Sequence, residues 1–196
     1  MSVDRPDTEL PPEHRDWAQH LRDSTPDGQV ALNLHTDEAE EQTIAIFSSR
    51  NVEGVVAATV GLMDVDVGED PDDPVYTEII VDARGDAAWV AEIVATLAFH
   101  VMKDGWKPAP GVIFERAIEM YSPELQVKHV MFVPPIQWED EMSAVELGSK
   151  VVQPLLAVPI TEAEAAFVRA HGGEALEDLW ARAEVDVFDW SRSGVV

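Results

Sequence analysis

The sequence predicts an α+β fold: a mixed, largely antiparallel sheet with a long central helix, and terminal helices packed on it. Three observations lead there. Runs such as QVALNLH (29–35) and YTEIIVDA (76–83) alternate apolar and polar residues, the two-residue period of a strand. The period changes over 89–101, where apolar residues recur every three or four positions as on one face of a helix. Most strand candidates are joined by short turns, which argues against alternating βαβ units.

Taken in order, residues 1–10 read as a frayed lead-in, and residues 11–196 as a single domain. Pro11 and Pro12 suit the entry of a helix over 12–23, with Trp17 and Leu21 one turn apart. The PDG turn (26–28) leads into a strand with Val30, Leu32 and Leu34 on one side. TIAIFSS (43–49) and GVVAATVGLM (54–63) are the next strands. The acidic loop DVDVGEDPDDP then precedes YTEIIVDA. Asp86 is placed to cap the central helix, whose stripe is Trp89, Val90, Ile93, Val94, Leu97 and Val101, with Gly105 as its stop. His100 beside this stripe reads as a core-edge histidine with a backbone partner.

VIFERAIEM (112–120) and VKHVMFVPP (127–135) read as extended. SKVVQPLLAVPI (149–160) reads as one strand, with Pro154 marking an edge or a bulge. Thr161 with Glu164 forms a capping box, and Phe167 and Val168 give the following helix its apolar face. Gly172 is expected as its left-handed stop and Gly173 as the reversal into a second helix carrying Leu176, Leu179 and Trp180.

Charge bounds the function. The chain carries 38 acidic residues against 13 basic ones, a net charge of −25. Such a surface repels nucleic acid and anionic membranes and steers a basic partner toward itself. No stretch of about 18 apolar residues is present to span a bilayer, and the N-terminus has no secretory pattern. A cytoplasmic protein is therefore expected. With no cysteine, thiolate zinc, disulfides and cysteine nucleophiles are excluded.

The acidic clusters nominate a docking face: Glu69, Asp70, Asp72 and Asp73 in one loop, and Glu139 and Asp140 beside Trp138 in another. Trp190 is a second aromatic candidate for an interface, with completion of the core as the competing reading. An acidic surface that serves only solubility competes for the charged residues.

Phosphate loops, the nucleophile elbow and HEXXH are all absent, so no catalytic residue and no cofactor is assigned. The alternating Asp64, Asp66, Asp70 and Asp72 invite a test as a hard-cation loop. A calcium loop beginning at Asp64 would need glycine where Glu69 stands and glutamate where Val75 stands. A metal-binding or metal-dependent role for the 64–72 loop is kept only as the alternative to protein binding.

PGVIF (110–114), HVMFVPP (129–135), LLAVPITEAEAAFVRAHGGEALEDL (155–179) and DWSRSGVV (189–196) occur in an order and spacing that resembles the suppressor of fused-like domain family. ATVGLMD and TEIIVDARGDAAWVAEIVATLAFH upstream are similar to its glycine-containing strand and its strand–helix unit, so the resemblance spans about residues 50–196. One departure is the lack of a glycine between PGVIF and HVMFVPP. The resemblance implies a protein-binding module without catalysis. In animals the namesake clasps an extended peptide of a transcription factor, and bacterial single-domain members resemble immunity proteins of toxin systems or adaptors that bind a basic partner. The expected partner is a protein, a basic toxin or an extended peptide, with Arg192 of the family's tail among the contacting residues.

Overall fold

The computed structural model describes residues 10–70, 72–85, 89–135, 142 and 144–196. The chain runs α1 (Pro12–Ser24), β1 (Gln29–Thr36), β2 (Thr43–Arg50), β3 (Gly54–Val60), a 3-10 turn (Leu62–Asp64), β4 (Ile79–Arg84) and α2 (Val90–Asp104). It continues through β5 (Ile113–Phe114), β6 (Val127–Val133), β7 (Val145–Leu147), β8 (Lys150–Val152), β9 (Leu155–Thr161), α3 (Glu162–His171) and α4 (Gly173–Arg182). The lead-in residues 1–9 and the proposed cap Asp86 lie outside the described residues.

Seven strands form one sheet in the order β1-β2-β3-β4-β9-β6-β5, antiparallel except where β4 meets β9. The α+β class and the mixed, mainly antiparallel sheet are as the sequence predicts. Alternation along the strands divides the core in two. Ile44, Ile46, Val55, Ala57, Ile79 and Val81 face α2, together with Phe132 and Trp190. Ala45, Phe47, Val56, Ile80, Leu156 and Val158 face the other way, toward α1, α3, α4 and the β7–β8 hairpin. The result is a sheet covered on both sides, with β1 exposed along one edge.

Each covering helix owes its place to its apolar stripe. On α2, Val90, Ile93, Val94, Leu97, Ala98 and Val101 are buried, and each large aliphatic among them contributes about 1.5–3 kcal/mol by leaving water. Gly105 ends α2 at φ 63°, a left-handed stop at which its amide bonds the His100 carbonyl. On α1, Trp17 and Leu21 are buried, and the Trp17 indole donates to the Thr59 carbonyl at 2.8 Å. No helix among the described residues is long and apolar enough to cross a membrane.

Three local expectations are corrected. Only Ile113–Phe114 of the 112–120 run is strand, because Arg116 adopts φ 62° and turns the chain. This left-handed turn falls in the stretch that lacks a glycine. The 149–160 run is two strands: Pro154 separates β8, which pairs with β7 and bridges Tyr76 at Val152, from β9 in the middle of the large sheet. His100 lies at 2.5 Å from Asp104 and packs on Phe114, so its partner is a carboxylate and not the backbone.

Pro159 in a strand interior looks unfavourable, since proline cannot donate to a ladder. However, β4 pairs β9 only at Leu155 and Leu156, and the Pro159 carbonyl is taken by Arg192 instead of a strand. The missing N–H therefore points away from β6 and interrupts no ladder.

The doubled glycine also finds its reason. Gly172, at φ 90° and ψ 162°, ends α3 and begins α4 in a region that essentially only glycine occupies, not in the left-handed helical region expected. Gly173 is required by packing: a Cβ there would stand 2.7 Å from the Gly111 Cα of the PGVIF turn. Gly173→Ala is expected to cost about 1–3 kcal/mol through this overlap, read as a lower denaturation midpoint in urea.

Candidate partner-binding surface

The loop between β3 and β4 carries the acidic cluster of Glu69, Asp70, Asp72 and Asp73. It leaves β3 at Gly61, whose φ of 111° needs glycine and whose Cα faces the His14 imidazole too closely for a side chain. Val67 is buried in the α2-side core and pins the loop's middle. Its amide bonds the Val75 carbonyl at 2.9 Å, and Asp66 Oδ1 accepts from the amides of Gly68 and Val75. Asp70 Oδ1 accepts from the Asp72 amide at 3.0 Å, and Lys107 donates to the Gly68 carbonyl. Glu69, Asp70, Asp72 and Asp73 project from this tied loop and are exposed. None of the four is in an ion pair with a described residue. A fixed backbone thus holds several carboxylates in water, which concentrates negative charge at this loop.

The metal alternative fares worse in this geometry. Asp64 pairs with Lys150 at 2.6 Å and lies 2.9 Å from His14 Nε2, and burial, which would raise its pKa, is outweighed by its contacts with these two side chains, which lower it. Asp66 is occupied with backbone amides. Among the described residues, no three His, Cys, Asp or Glu side chains converge as a cation would need.

The other nominated residues that the structure describes, Trp190 and Arg192, are buried. Trp138, Glu139 and Asp140 lie outside the described residues. Trp190 completes the core: it is buried, donates to the Asp82 carbonyl at 3.0 Å and packs on Trp89.

Arg192 is buried too, which leaves little of it to offer a partner directly. Its Nη1 lies 2.7 Å from Glu164 Oε1 and its Nη2 3.1 Å from Glu164 Oε2, a two-pronged pair between side chains 6% and 0% exposed. Nη2 also donates to the Pro159 carbonyl at 2.7 Å, and the guanidinium stands over the Trp180 ring. Glu164 further accepts from the Thr161 amide and the Trp180 indole. Burial pushes the Glu164 carboxyl up, but the Arg192 hydrogen bond and charge, with the other donors, outweigh it and hold it below the ordinary value. One residue thus closes the capping box and clamps the C-terminal tail over α3 and α4.

A second buried glutamate escaped the sequence reading. Glu78, wholly buried at the entry to β4, accepts from the amides of Gly61 at 2.8 Å and Met63 at 3.1 Å and bonds the Thr59 hydroxyl. Among the described residues, no cation is in its hydrogen-bond shell. Burial pushes its carboxyl up to about 8 against those hydrogen bonds. Glu78 therefore anchors the base of the acidic loop from inside.

The comparisons agree with this architecture. The family model for the suppressor of fused protein matches residues 40–193. The immunity protein YqcF of Bacillus subtilis (strain 168) is 33% identical over 173 residues, covering 86% of this chain and 90% of that protein. A suppressor of fused homolog from Neisseria gonorrhoeae FA 1090 superposes with a TM-score of 0.72 at 18% identity, covering 91% of this chain and 93% of its own. Drosophila Suppressor of Fused superposes with a TM-score of 0.67 at 11% identity, and the match spans 99% of this chain but 52% of that larger one. At such low identities these two structures establish the shared fold alone. The extent of the family match and the identity to YqcF together show that the chain belongs to the suppressor of fused family.

Proposed function

We propose that this chain is a non-catalytic module that binds and neutralises a basic protein, as an immunity protein does a toxin. The observation that carries this reading is the 33% identity to an immunity protein across most of both chains. The net charge of −25 and the exposed carboxylates of the 69–73 loop, in no ion pair with a described residue, support a cation-rich partner. Association should then be fast and salt-sensitive, because long-range attraction raises the encounter rate and ions screen it.

The direct test is capture from native lysate at low salt, with the bound protein identified by mass spectrometry. A basic protein whose toxicity is relieved by this chain supports the reading, and recovery of no protein removes it. With that partner in hand, replacing Glu69, Asp70, Asp72 and Asp73 by Gln or Asn should lower the association rate about tenfold or more at low salt. The loss should shrink at high salt. An unchanged rate would assign the loop's charge to solubility.

A further inference from the structure

A groove of about 540 Å³ runs along α2, and none of its lining residues belongs to the acidic loop. Its floor is the helix stripe Glu92, Thr96, Phe99 and Lys103, spaced three and four residues apart. The end of β1 and its turn, residues 35–38, flank it on one side, and Met120 and Tyr121 on the other.

Both flanks are tied to the floor. Asp37 Oδ1 accepts from the amides of Glu41 and Gln42 at 2.8 and 3.0 Å, while Oδ2 accepts from Lys103. The Gln42 amide and Lys103 hold the Asp37 carboxyl down to about 2, so this tether stays charged across the physiological range. On the other flank, the Tyr121 hydroxyl lies 2.5 Å from Thr96 Oγ1. Such anchoring makes the groove a preformed feature, which lowers the ordering cost of filling it.

The lining has two chemistries. Met120 is 58% exposed and stands with half-buried Phe99 and Tyr121, an apolar patch in contact with water. Around it, Glu38 and Glu92 are exposed and in no ion pair with a described residue, whereas Lys103 is already committed to Asp37. His35 feels the Glu92 charge, although burial prevails and keeps its pKa below the ordinary value. An apolar centre with a carboxylate rim complements an apolar side chain flanked by cations, and it disfavours phosphate, nucleic acid and anionic lipid.

We infer that this groove seats a short segment of a protein partner in which an apolar side chain is flanked by lysine or arginine. The apolar side chain packs on Phe99, Met120 and Tyr121, and the flanking cation meets Glu92 or Glu38. This rests on the protein-binding reading and names a second contact surface for it, distinct from the 69–73 loop.

The test is NMR titration of the 15N-labelled chain with three capped peptides: KKLFRK, its apolar-deleted form KKGGRK, and its charge-reversed form EELFEE. KKLFRK alone is expected to shift resonances of 35–38, 92–103 and 120–121 in a saturable way. The paired substitutions Glu92→Lys and Met120→Ser, both at exposed positions, should weaken that binding about tenfold with the rest of the spectrum unchanged. Equal groove shifts with KKGGRK or EELFEE, or no groove shifts at millimolar KKLFRK, would overturn the inference. Shifts confined to residues 69–73 would overturn it as well, while leaving the acidic-loop reading in place.

Discussion

Replacing Arg192 by Met is expected to destabilise the domain by about 3–5 kcal/mol, because it strands a carboxylate that water cannot reach. Glu164 is 0% exposed, and Arg192 is the only cation that the described residues bring to it. The Thr161 amide and Trp180 indole remain as donors but carry no positive charge. For a domain of this size the loss corresponds to a fall in melting temperature of roughly 6–20 °C, measurable by circular dichroism. The double variant Glu164→Gln with Arg192→Met should recover a large part of it, since the buried charge is then gone.

The pair also sets an acid limit. The folded-state pKa of Glu164 lies below its unfolded value, so its stabilisation is present above the unfolded value of 4.5 and is lost as pH falls through the depressed one. In the Arg192→Met variant this acid loss should be diminished. A melting temperature within 2 °C of wild type would show that the tail is not clamped by this pair.

The Glu164–Arg192 pair shows what the sequence reveals and what it withholds. Thr161 and Glu164 are three residues apart, so a capping box follows from spacing alone, and the structure contains it at 2.8 and 3.2 Å. That the same carboxylate receives a guanidinium 28 positions later depends on how the tail crosses α3 and α4, which no local pattern encodes.

Strands β2, β3 and β4 were visible for a different reason: a core on each side makes both of their faces apolar, so they read as nearly continuous apolar runs. The 112–120 run misled because apolar spacing says nothing of a left-handed residue, and Arg116 supplies one. Pro154 was read as a flaw within one strand, when a proline between two short apolar runs can equally divide them between two sheets. The groove on α2 was hidden because its parts are 35–38, 92–103 and 120–121, segments that only the topology assembles. Among the nominated contacts that the structure describes, the 69–73 acids were recognisable as exposed, since prolines and consecutive charges cannot enter a core.

Glu78→Gln is expected to have an effect that grows with pH: close to neutral near pH 5 and stabilising above pH 8. Wild-type Glu78 keeps its proton in the folded state up to about 8, whereas the unfolded chain releases it near 4.5. Between those values the folded state binds more protons than the unfolded state. The stability this group contributes is therefore fully present below 4.5 and is lost as pH rises through about 8. The maximal slope is about 1.4 kcal/mol per pH unit, which accumulates to a few kcal/mol across the window.

Glutamine preserves the shape and most of the bonding: its carbonyl can accept from Gly61 and Met63, and its amide can donate to Thr59. What it lacks is a charge to desolvate. Urea unfolding of both proteins from pH 5 to 9 should thus give a difference in stability that grows with pH in favour of the variant and levels off above pH 8. Taking the difference removes the contribution of the protein's many surface carboxylates, which are common to both chains. A difference that stays flat with pH would mean that the amides of Gly61 and Met63 stabilise the carboxylate enough to cancel its burial. Glu78 would then hold the base of the acidic loop as an anion.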